Sequence, residues 1–217
     1  MQIYTGTCFG KDNHDLLKKY NLGLMHVTGF GWAPDKTHKK FPAAMDNGAF
    51  RCWQMGYPFN GELFEKRLQG NQKAGIKMDF IACPDIVTGG MDSLSFSMEW
   101  AQGRLRGAPR LALVVQDGMV PESHCITAYH RRPFNTIFVG GSVDFKWSTA
   151  AAWVAFAHKH SMRCHIGQVG KPEYISRARA MKADSIDSTS IIRNKSEAVL
   201  NEILNGVEDP LFDLLEG

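Results

Sequence analysis

The stretch "RLALVVQDG", residues 110–118, decides the fold of this chain. Apart from Arg110, its first six residues are apolar, and Gln116 and Asp117 follow them before a glycine. A short, continuous apolar run that ends in a polar turn is typical of a strand buried on both faces of a parallel sheet. The stretch therefore predicts a strand over residues 110–115 whose carboxyl end carries polar side chains.

Seven more apolar runs along the chain show the same pattern, and an amphipathic stretch follows most of them. Strands that alternate with helices form a parallel sheet with the helices outside it. Eight such units predict a compact α/β fold, the (β/α)8 TIM barrel, as one domain over residues 1–217. An open, doubly wound sheet is the alternative. The seven runs are "QIYTGT" (2–7), "LGLMHVTG" (22–29), "PAAMD" (42–46), "MDFIAC" (78–83), "NTIFVG" (135–140), "RCHIGQV" (163–169) and "ADSID" (183–187).

The amphipathic stretches mark the predicted helices, and one segment interrupts their alternation with the strands. Residues 29–62 are rich in glycine, proline and aromatic residues, and we predict a long loop over the site there. The amphipathic stretches lie near residues 11–20, 60–74, 91–106, 121–131, 148–160, 172–181 and 195–205.

The composition is that of an ordinary globular protein, because 44% of the 217 residues are hydrophobic and 22% are charged. No apolar run is long enough to span a bilayer, and "MQIYTGTCFGKDN" (1–13) lacks the regions of a secretory signal. Five cysteines are scattered without a CxxC pair, which argues against a disulfide framework and a cysteine-rich zinc site. We therefore expect a cytoplasmic chain with reduced thiols and no membrane partner.

Basic residues cluster in three places although the net charge is only +3. The clusters are "DKTHKK" (35–40), "GRLRGAPR" (103–110) and "HRR" (130–132). Charge runs of this length usually mark solvated loops. A surface that follows the phosphates of a nucleic acid is the alternative, and it gains weight only if the site requires such a partner.

Polar residues recur at the ends of the predicted strands, and in a parallel barrel these ends meet at one mouth. Each residue alone is explained by a turn, since Asp and Asn side chains hydrogen-bond to their own backbone. Their recurrence after successive strands favours a functional site. Paired carboxylates suit chemistry at an anomeric carbon, where one attacks C1′ and the other moves protons. The strand-end residues are Asp46, Asp85, Gln116, Asp117, Gly140, Gly141 and Asp187.

The cluster "HKHSMRCH" (158–165) suggests a metal site through His158, His160, Cys164 and His165. Residues two apart on a helix point to different sides, so the first two histidines make a poor pair of ligands. We therefore predict that the site holds no metal.

Two further segments leave alternatives open. The glycines of "HIGQVGK" (165–171) suit either a phosphate cradle at a helix N-terminus or a tight turn. The aromatic segment "FRCWQMGYPF" (50–59) suits a packed loop or, less often, a platform on which bases stack.

Two carboxylates lie close together in "ADSIDSTS" (183–190). Side chains alternate along a strand, so Asp184 and Asp187, three positions apart, should point to opposite sides. We predict that Asp187 shares a cleft with Asp46 and Asp85, and that Asp184 supports the fold elsewhere.

Five segments, taken in order, resemble a known family, the tRNA-guanine transglycosylases and their DNA-modifying relatives. Members of this family are (β/α)8 barrels that exchange guanine for a 7-deazaguanine base. The segments are "MDNGAF" (45–50), "CPDIV" (83–87), "VVQDG" (114–118), "VGGS" (139–142) and the long stretch 165–190 that ends in "SIDSTS".

The resemblance implies a role for each matching residue. Asp187 would be the nucleophile, and Asp46 the general acid/base. The family also carries an Arg six positions after its nucleophile, where Arg193 stands here. No cofactor is implied for this exchange. The substrate-binding residues implied by the resemblance are Asp85, Gln116, Gly140, Gly141 and Arg193.

Three departures from the family bear on the substrate. The tRNA enzymes carry a CxCxxC zinc site after the nucleophile and a C-terminal RNA-binding domain, and neither pattern follows Arg193. Lys146 stands near a position where those enzymes have an acidic residue. The chain looks most like the phage-type enzymes that place 7-deazaguanines in DNA. This implies DNA rather than tRNA as partner, a free preQ0- or preQ1-like base, and the host cytoplasm as location.

Three other functions remain as alternatives. The chain could act on tRNA. It could be a TIM-barrel sugar-phosphate isomerase or aldolase that uses "HIGQVGK" for phosphate, although neither a convincing general base nor a Schiff-base lysine for that chemistry stands at a strand end. It could also be a nucleic-acid-binding protein without catalysis.

Overall fold

Eight parallel strands form a closed barrel in the computed structural model, which describes residues 1–28, 35–124, 133–195 and 197–205. Each strand pairs with the next along the chain, and β8 pairs with β1. The predicted (β/α)8 barrel and all eight predicted strands are confirmed, and the open sheet is excluded. The strands are β1 (Gln2–Gly6), β2 (Leu22–Val27), β3 (Ala43–Asp46), β4 (Met78–Ala82), β5 (Leu111–Val115), β6 (Phe134–Val139), β7 (Arg163–Ile166) and β8 (Ser185–Asp187).

Helices connect the strands on the outside of the barrel, and a 3-10 helix over Lys36–Lys40 precedes β3. No helix in the described ranges combines the length and the apolar character that crossing a membrane requires. The helices are α1 (Lys11–Lys19), α2 (Ala49–Gln54), α3 (Gly61–Lys73), α4 (Gly90–Gln102), α5 (Pro121–His124), α6 (Val143–Lys159), α7 (Pro172–Ala180), α8 (Ser190–Asn194) and α9 (Glu197–Asn205).

The predicted long loop over 29–62 is wrong for its described part, because this part holds the 3-10 helix, β3, α2 and the start of α3. The chain turns from β3 into α2 at Gly48, whose φ of 82° suits glycine. The side chain of Asp46 accepts a hydrogen bond from Gly48 N, and that of Asn47 accepts one from Ala49 N. These two short-range bonds start a helix that the high glycine content concealed.

Two helices also differ from their predicted bounds. The helix predicted near 148–160 begins five residues earlier, at Val143. Ser142 is its N-cap, and the Oγ atom of Ser142 accepts a hydrogen bond from Phe145 N. Of the stretch predicted near 121–131, the structure describes only the part up to residue 124, and the basic cluster at 130–132 lies outside the described residues.

Side chains fill the interior of the barrel below its mouth. They form a compact apolar cluster, separate from the larger core that lies between the strands and the helices. Ligand access is therefore confined to the carboxyl ends of the strands, as is usual for this fold. The interior cluster consists of Tyr4, Met25, Ala44, Phe80, Ala82, Ala112, Val114 and Phe138.

The larger core should depend strongly on Trp153 of α6, which is fully buried. We expect Trp153→Ala to lower the free energy of unfolding by roughly 3–5 kcal/mol, because it leaves a large cavity. The matched control is Trp53→Ala, since Trp53 is 53% exposed and its loss should cost less than about 0.5 kcal/mol. Urea denaturation followed by circular dichroism measures both, and equal losses would contradict this arrangement.

Candidate active site

A cavity of about 200 Å³ opens at the carboxyl ends of the strands. Its floor is apolar and its rim is polar, a combination that suits a small, flat molecule with a hydrogen-bonding edge. The floor includes Ala82, Val114 and Phe138. The polar and glycine positions that line it are Asp46, Asn47, Asp85, Thr88, Gln116, Asp117, Gly140, Gly141, Ser142, Lys146, Gly167, Gln168 and Asp187.

Asp85 lies at the centre of a buried hydrogen-bond network. Its Oδ1 atom accepts a 2.7 Å bond from Asn47 Nδ2, and its Oδ2 atom accepts one from Gln116 Nε2. The pKa of Asp85 is raised to about 7, chiefly by burial; the charge of Asp46 acts in the same direction, and these two hydrogen bonds oppose the shift. The Oε1 atom of Gln116 is buried and has no partner among the described residues, so the network offers an acceptor to a ligand.

Asp46 has the properties of a proton carrier. It stands at the end of β3, and its Oδ1 atom accepts a 2.6 Å hydrogen bond from Gly48 N. Burial raises the pKa of Asp46 to about 6, and the negative charge of Asp187 acts in the same direction, while the bond from Gly48 opposes both. A carboxyl group with a pKa near neutrality can both donate and accept a proton under physiological conditions.

Asp187 is held by its surroundings at one of its two oxygens. The Oδ1 atom lies 3.0 Å from Gln168 N, which donates to it, and 3.0 Å from His165 Nε2. In the described part of the chain, the Oδ2 atom accepts no hydrogen bond, so it is the oxygen open to a ligand. The Asp187 side chain is thus held in one orientation while one of its oxygens keeps its capacity to bind a ligand, and a nucleophile requires both.

The loop after β7 holds Asp187 in place. Val169 N donates a 2.7 Å bond to the Asp187 carbonyl oxygen. Gln168 has a positive φ of 57°, and its N–H donates to the Asp187 side chain. Lys146 Nζ donates a 2.6 Å bond to Gly167 O and so ties the loop to α6. This glycine-containing turn therefore holds the Asp187 carboxylate in position.

Lys146 is a buried cation beside the carboxylates. It is 4% exposed and lines the cavity, where it is the only lysine or arginine among the described lining residues. Burial lowers the pKa of Lys146, and the charges of Asp187 and Asp117 oppose that shift. The cavity thus combines several carboxyl groups with one compensating positive charge.

Gly140 and Gly141 bring the backbone after β6 close to the cavity. Gly141 has a φ of +73°, and a Cβ atom there would lie 2.5 Å from Asp117 Oδ2 and 2.8 Å from Phe145 Cδ1. Asp117 in turn accepts a 2.8 Å bond from Ser142 N and a 2.5 Å bond from Ser142 Oγ. Only glycine fits this turn, which leaves backbone groups at the rim of the cavity.

A second cavity of about 540 Å³ adjoins the first, and Asp46 and Asp187 line both. Its lining is more polar than that of the first cavity and includes two arginines. The two carboxylates therefore stand at the junction between a mainly apolar space and a more polar one. Other residues of the second cavity include Thr7, Arg51, Gln54, Arg67, Ser188, Thr189 and Ser190.

The structure brings together almost all of the residues that the sequence singles out. Arg193 is the exception, because it lies on α8 with an exposed side chain and is absent from the described lining of both cavities. Its role in binding stays a prediction. The residues that line the first cavity as predicted are Asp46, Asp85, Gln116, Gly140, Gly141 and Asp187.

The predicted separation of the two carboxylates in "ADSIDSTS" is confirmed. Asp184 Oδ2 accepts a 2.7 Å bond from Cys164 N and lies 3.0 Å from His158 Nε2. Asp184 thus links β7, α6 and the start of β8 outside the barrel interior. Asp187 instead shares the first cavity with Asp46.

The histidines and cysteine of 158–165 do not converge. His158 contacts Asp184 at the surface, His160 packs against Phe156, and His165 points into the barrel. No group of three or more His, Cys, Asp or Glu side chains in the described ranges could hold a metal ion.

The sequence did not single out Asn47 or Gln168, and it pointed to Lys146 and His165 for other reasons, the first as a departure from the family and the second as a possible metal ligand. The role of His165 depends on the register that pairs it with Ser185 of β8. The position of Lys146 beside the carboxylates depends on how α6 packs against the barrel.

Comparison with known proteins adds no assignment, because no family model matches the chain and no curated protein matches it. The chemistry of the site therefore rests on its own geometry.

The substitution Asp85→Asn should stabilise the protein, and the gain should grow with pH. The pKa of Asp85 is about 7, above its ordinary 3.8, so in this window the folded chain holds a proton that the unfolded chain has lost. Wild-type stability therefore falls as pH rises toward 7 and levels off above it. The gain should be roughly 2 kcal/mol larger at pH 8 than at pH 5, measured by urea denaturation.

The amide is accommodated because the Gln116 side chain can turn its Oε1 atom toward the new Nδ2 group. Asp92→Asn on α4 is the control, since it makes the same change from carboxyl to amide at an exposed position. A pH-independent difference for Asp85→Asn would show that this carboxyl titrates normally.

Proposed function

We propose that the chain is an enzyme, a pentosyltransferase that exchanges guanine in DNA for a free 7-deazaguanine base through a covalent Asp187–glycosyl intermediate. The observation that carries the proposal is the position of Asp46 and Asp187 at the junction of two cavities. A nucleoside has the same division, with a flat base on one side of C1′ and a sugar-phosphate on the other. The resemblance of the strand-end motifs to guanine transglycosylases supports the same chemistry.

The first cavity suits the base. Asp85 and Gln116 present hydrogen-bonding groups at one edge, and Phe138 and Val114 provide apolar walls. Polar groups buried in this way discriminate strongly, because a base with the wrong edge leaves them unpaired. Guanine and 7-deazaguanine share the edge opposite position 7, so one pocket can accept both in turn.

The second cavity suits the sugar and its phosphates. Arg51 and Arg67 contribute positive charge, and Ser188 and Ser190, whose hydroxyl groups lie 2.8 Å apart, also line this cavity. Cations and hydroxyls are the usual partners of phosphate oxygens. A nucleotide placed in this way would present C1′ to the junction.

The two carboxylates divide the chemistry between them. Asp187 Oδ2 attacks C1′, the bond from C1′ to guanine N9 breaks, and its electron pair leaves with the base, which takes a proton from Asp46. The incoming base then gives its N9 proton to Asp46, attacks C1′ and returns the electron pair to Asp187. Two inversions at C1′ retain its configuration. The raised pKa of Asp46 suits it to this exchange of one proton.

An aromatic pair at the mouth supports a polymeric substrate. Phe50 and Trp53 of α2 stack with ring centroids 5.8 Å apart, and they are 39% and 53% exposed. A target guanine must leave its duplex before it can enter the cavity, at a cost of a few kcal/mol. Exposed rings beside the cavity could offset part of this cost by stacking on neighbouring bases.

The nucleophile is tested by two matched substitutions, Asp187→Asn and Asp184→Asn. We expect Asp187→Asn to reduce the exchange of radiolabelled guanine into DNA roughly 1,000-fold or more, because no covalent intermediate can form. Asp184→Asn changes a carboxylate three residues away that lies outside the cavity and should retain exchange. Wild-type exchange by Asp187→Asn would exclude the proposed intermediate.

The polymer is tested by offering labelled guanine with duplex DNA or with tRNA. Label should enter the DNA, and a nitrile- or aminomethyl-bearing 7-deazaguanine should then prevent its incorporation by competing for the same site. Labelling of tRNA alone would replace DNA with RNA as the substrate and leave the exchange chemistry intact. Salt-dependent DNA binding without any exchange would instead identify a binding protein.

A further inference from the structure

His165 is a fully buried polar side chain inside the barrel. Aromatic rings surround it, with centroids 4.5 Å away for Phe138, 4.8 Å for Phe80 and 6.0 Å for Tyr4. A polar ring in such a place is costly unless both nitrogens have partners. The reaction described above assigns no function to it.

Both nitrogens of His165 have partners on the neighbouring strand. Nδ1 lies 2.9 Å from Ser185 Oγ, and Nε2 lies 3.0 Å from Asp187 Oδ1. Carboxylate oxygens accept hydrogen bonds, so the contact with Asp187 favours the tautomer that carries the proton on Nε2. In the neutral ring Nδ1 is then an acceptor, and the Ser185 hydroxyl donates to it.

The surroundings favour the neutral ring. Burial lowers the pKa of His165, and the nearby positive charge of Lys146 acts in the same direction, while the hydrogen bond to Asp187 and the charge of Asp187 oppose the shift. The hydrogen bonds therefore form a chain with one direction, from Ser185 through His165 to Asp187.

We propose that His165 is a positioning residue for the nucleophile, that Asp187 selects the tautomer in which His165 donates from Nε2 to Oδ1, and that Ser185 satisfies the remaining nitrogen by donating to Nδ1. This inference rests on the proposed function, because it gives His165 a part in the same exchange. Gln168 N donates to Oδ1 as well, so the two bonds direct Oδ2 toward C1′.

The same bond assists the departure of the carboxylate. When Oδ2 forms its bond to C1′, Oδ1 becomes the carbonyl oxygen of an ester and carries less negative charge. When the incoming base attacks C1′, the C1′–Oδ2 electron pair returns to the carboxylate, and charge builds up again on Oδ1. A hydrogen bond to an anion is stronger than one to a neutral oxygen, so the His165 bond favours this second step.

Two amide substitutions separate the contacts of His165. In His165→Gln the amide nitrogen can occupy the place of Nε2 and keep the contact with Asp187. In His165→Asn the shorter amide reaches only the place of Nδ1 and keeps the contact with Ser185. Both variants bury one amide in the same aromatic surroundings. Their melting temperatures, measured by thermal unfolding, should therefore be similar, so that a difference in activity is not a difference in folding.

We expect His165→Gln to exchange guanine within about 10-fold of the wild-type rate. His165→Asn should have a kcat roughly 10- to 100-fold below that of His165→Gln, the rate equivalent of one hydrogen bond to a charged group, with little change in KM. The fraction of enzyme trapped as a covalent DNA adduct should rise in His165→Asn, because its second step is slower. Equal kcat values and equal adduct fractions in two folded variants would overturn the proposal.

The tautomer is measured without any activity, by NMR of protein labelled with 15N-histidine. The His165 signals, assigned by their loss in His165→Gln, should show a neutral ring protonated at Nε2. In Asp187→Ala the Nδ1–H form should become populated, because the acceptor for Nε2–H is gone and Ser185 Oγ can accept from Nδ1. An Nδ1–H ring in the wild type, or an unchanged tautomer in Asp187→Ala, would refute the hydrogen-bond chain.

The two measurements keep the proposals apart. If the wild type exchanges no guanine while the tautomers behave as expected, the proposed function fails and the hydrogen-bond chain remains. If exchange occurs and the tautomers do not behave as expected, the proposed function remains and the hydrogen-bond chain fails.

Discussion

The pairing of β8 with β1 is the constraint on which the rest of the structure depends. It closes the barrel, with Asp187 in register with Tyr4 of β1 and Ser188 N bonded to the Tyr4 carbonyl oxygen. In an open sheet, the first and last strands would lie at opposite edges, and the end of β8 would be far from the end of β3. Closure brings Asp187 and Asp46 to the same junction, so the candidate chemistry is a consequence of topology.

The convergence of carboxyl groups is costly, and the structure limits this cost in different ways. Asp85 receives hydrogen bonds from Asn47 and Gln116, while Asp187 has His165, Gln168 and the nearby charge of Lys146. Asp46 accepts one hydrogen bond, from Gly48 N, and burial is the main cause of its raised pKa, as it is for Asp85. Burial, together with repulsion between neighbouring carboxylates, therefore favours a proton at this site near neutral pH.

The loop between β7 and α7 has a role that its sequence leaves open. Its glycines suggested either a phosphate cradle or a tight turn, and the observed contacts are those of a turn that holds Asp187. Gln168 N bonds to Asp187 Oδ1, and Lys146 fastens the loop through Gly167 O. The loop contributes to the site mainly through its backbone, so its side chains reveal little of its function.

The apolar run of a buried strand is a local pattern in the sequence. For that reason the sequence by itself determined the eight strands and the strand-end positions of Asp46, Asp85, Gln116 and Asp187. It also determined that Asp184 and Asp187 diverge, since alternation along a strand needs no partner.

Only the tertiary structure decided the rest. The packing of α6 brings Lys146 into the cavity, the orientation of α8 leaves Arg193 exposed, and local side-chain bonds start α2 inside a predicted loop. The pairing of β7 with β8 places His165 against Asp187. Each of these positions depends on how two elements pack together or on contacts that a single pattern in the sequence does not contain.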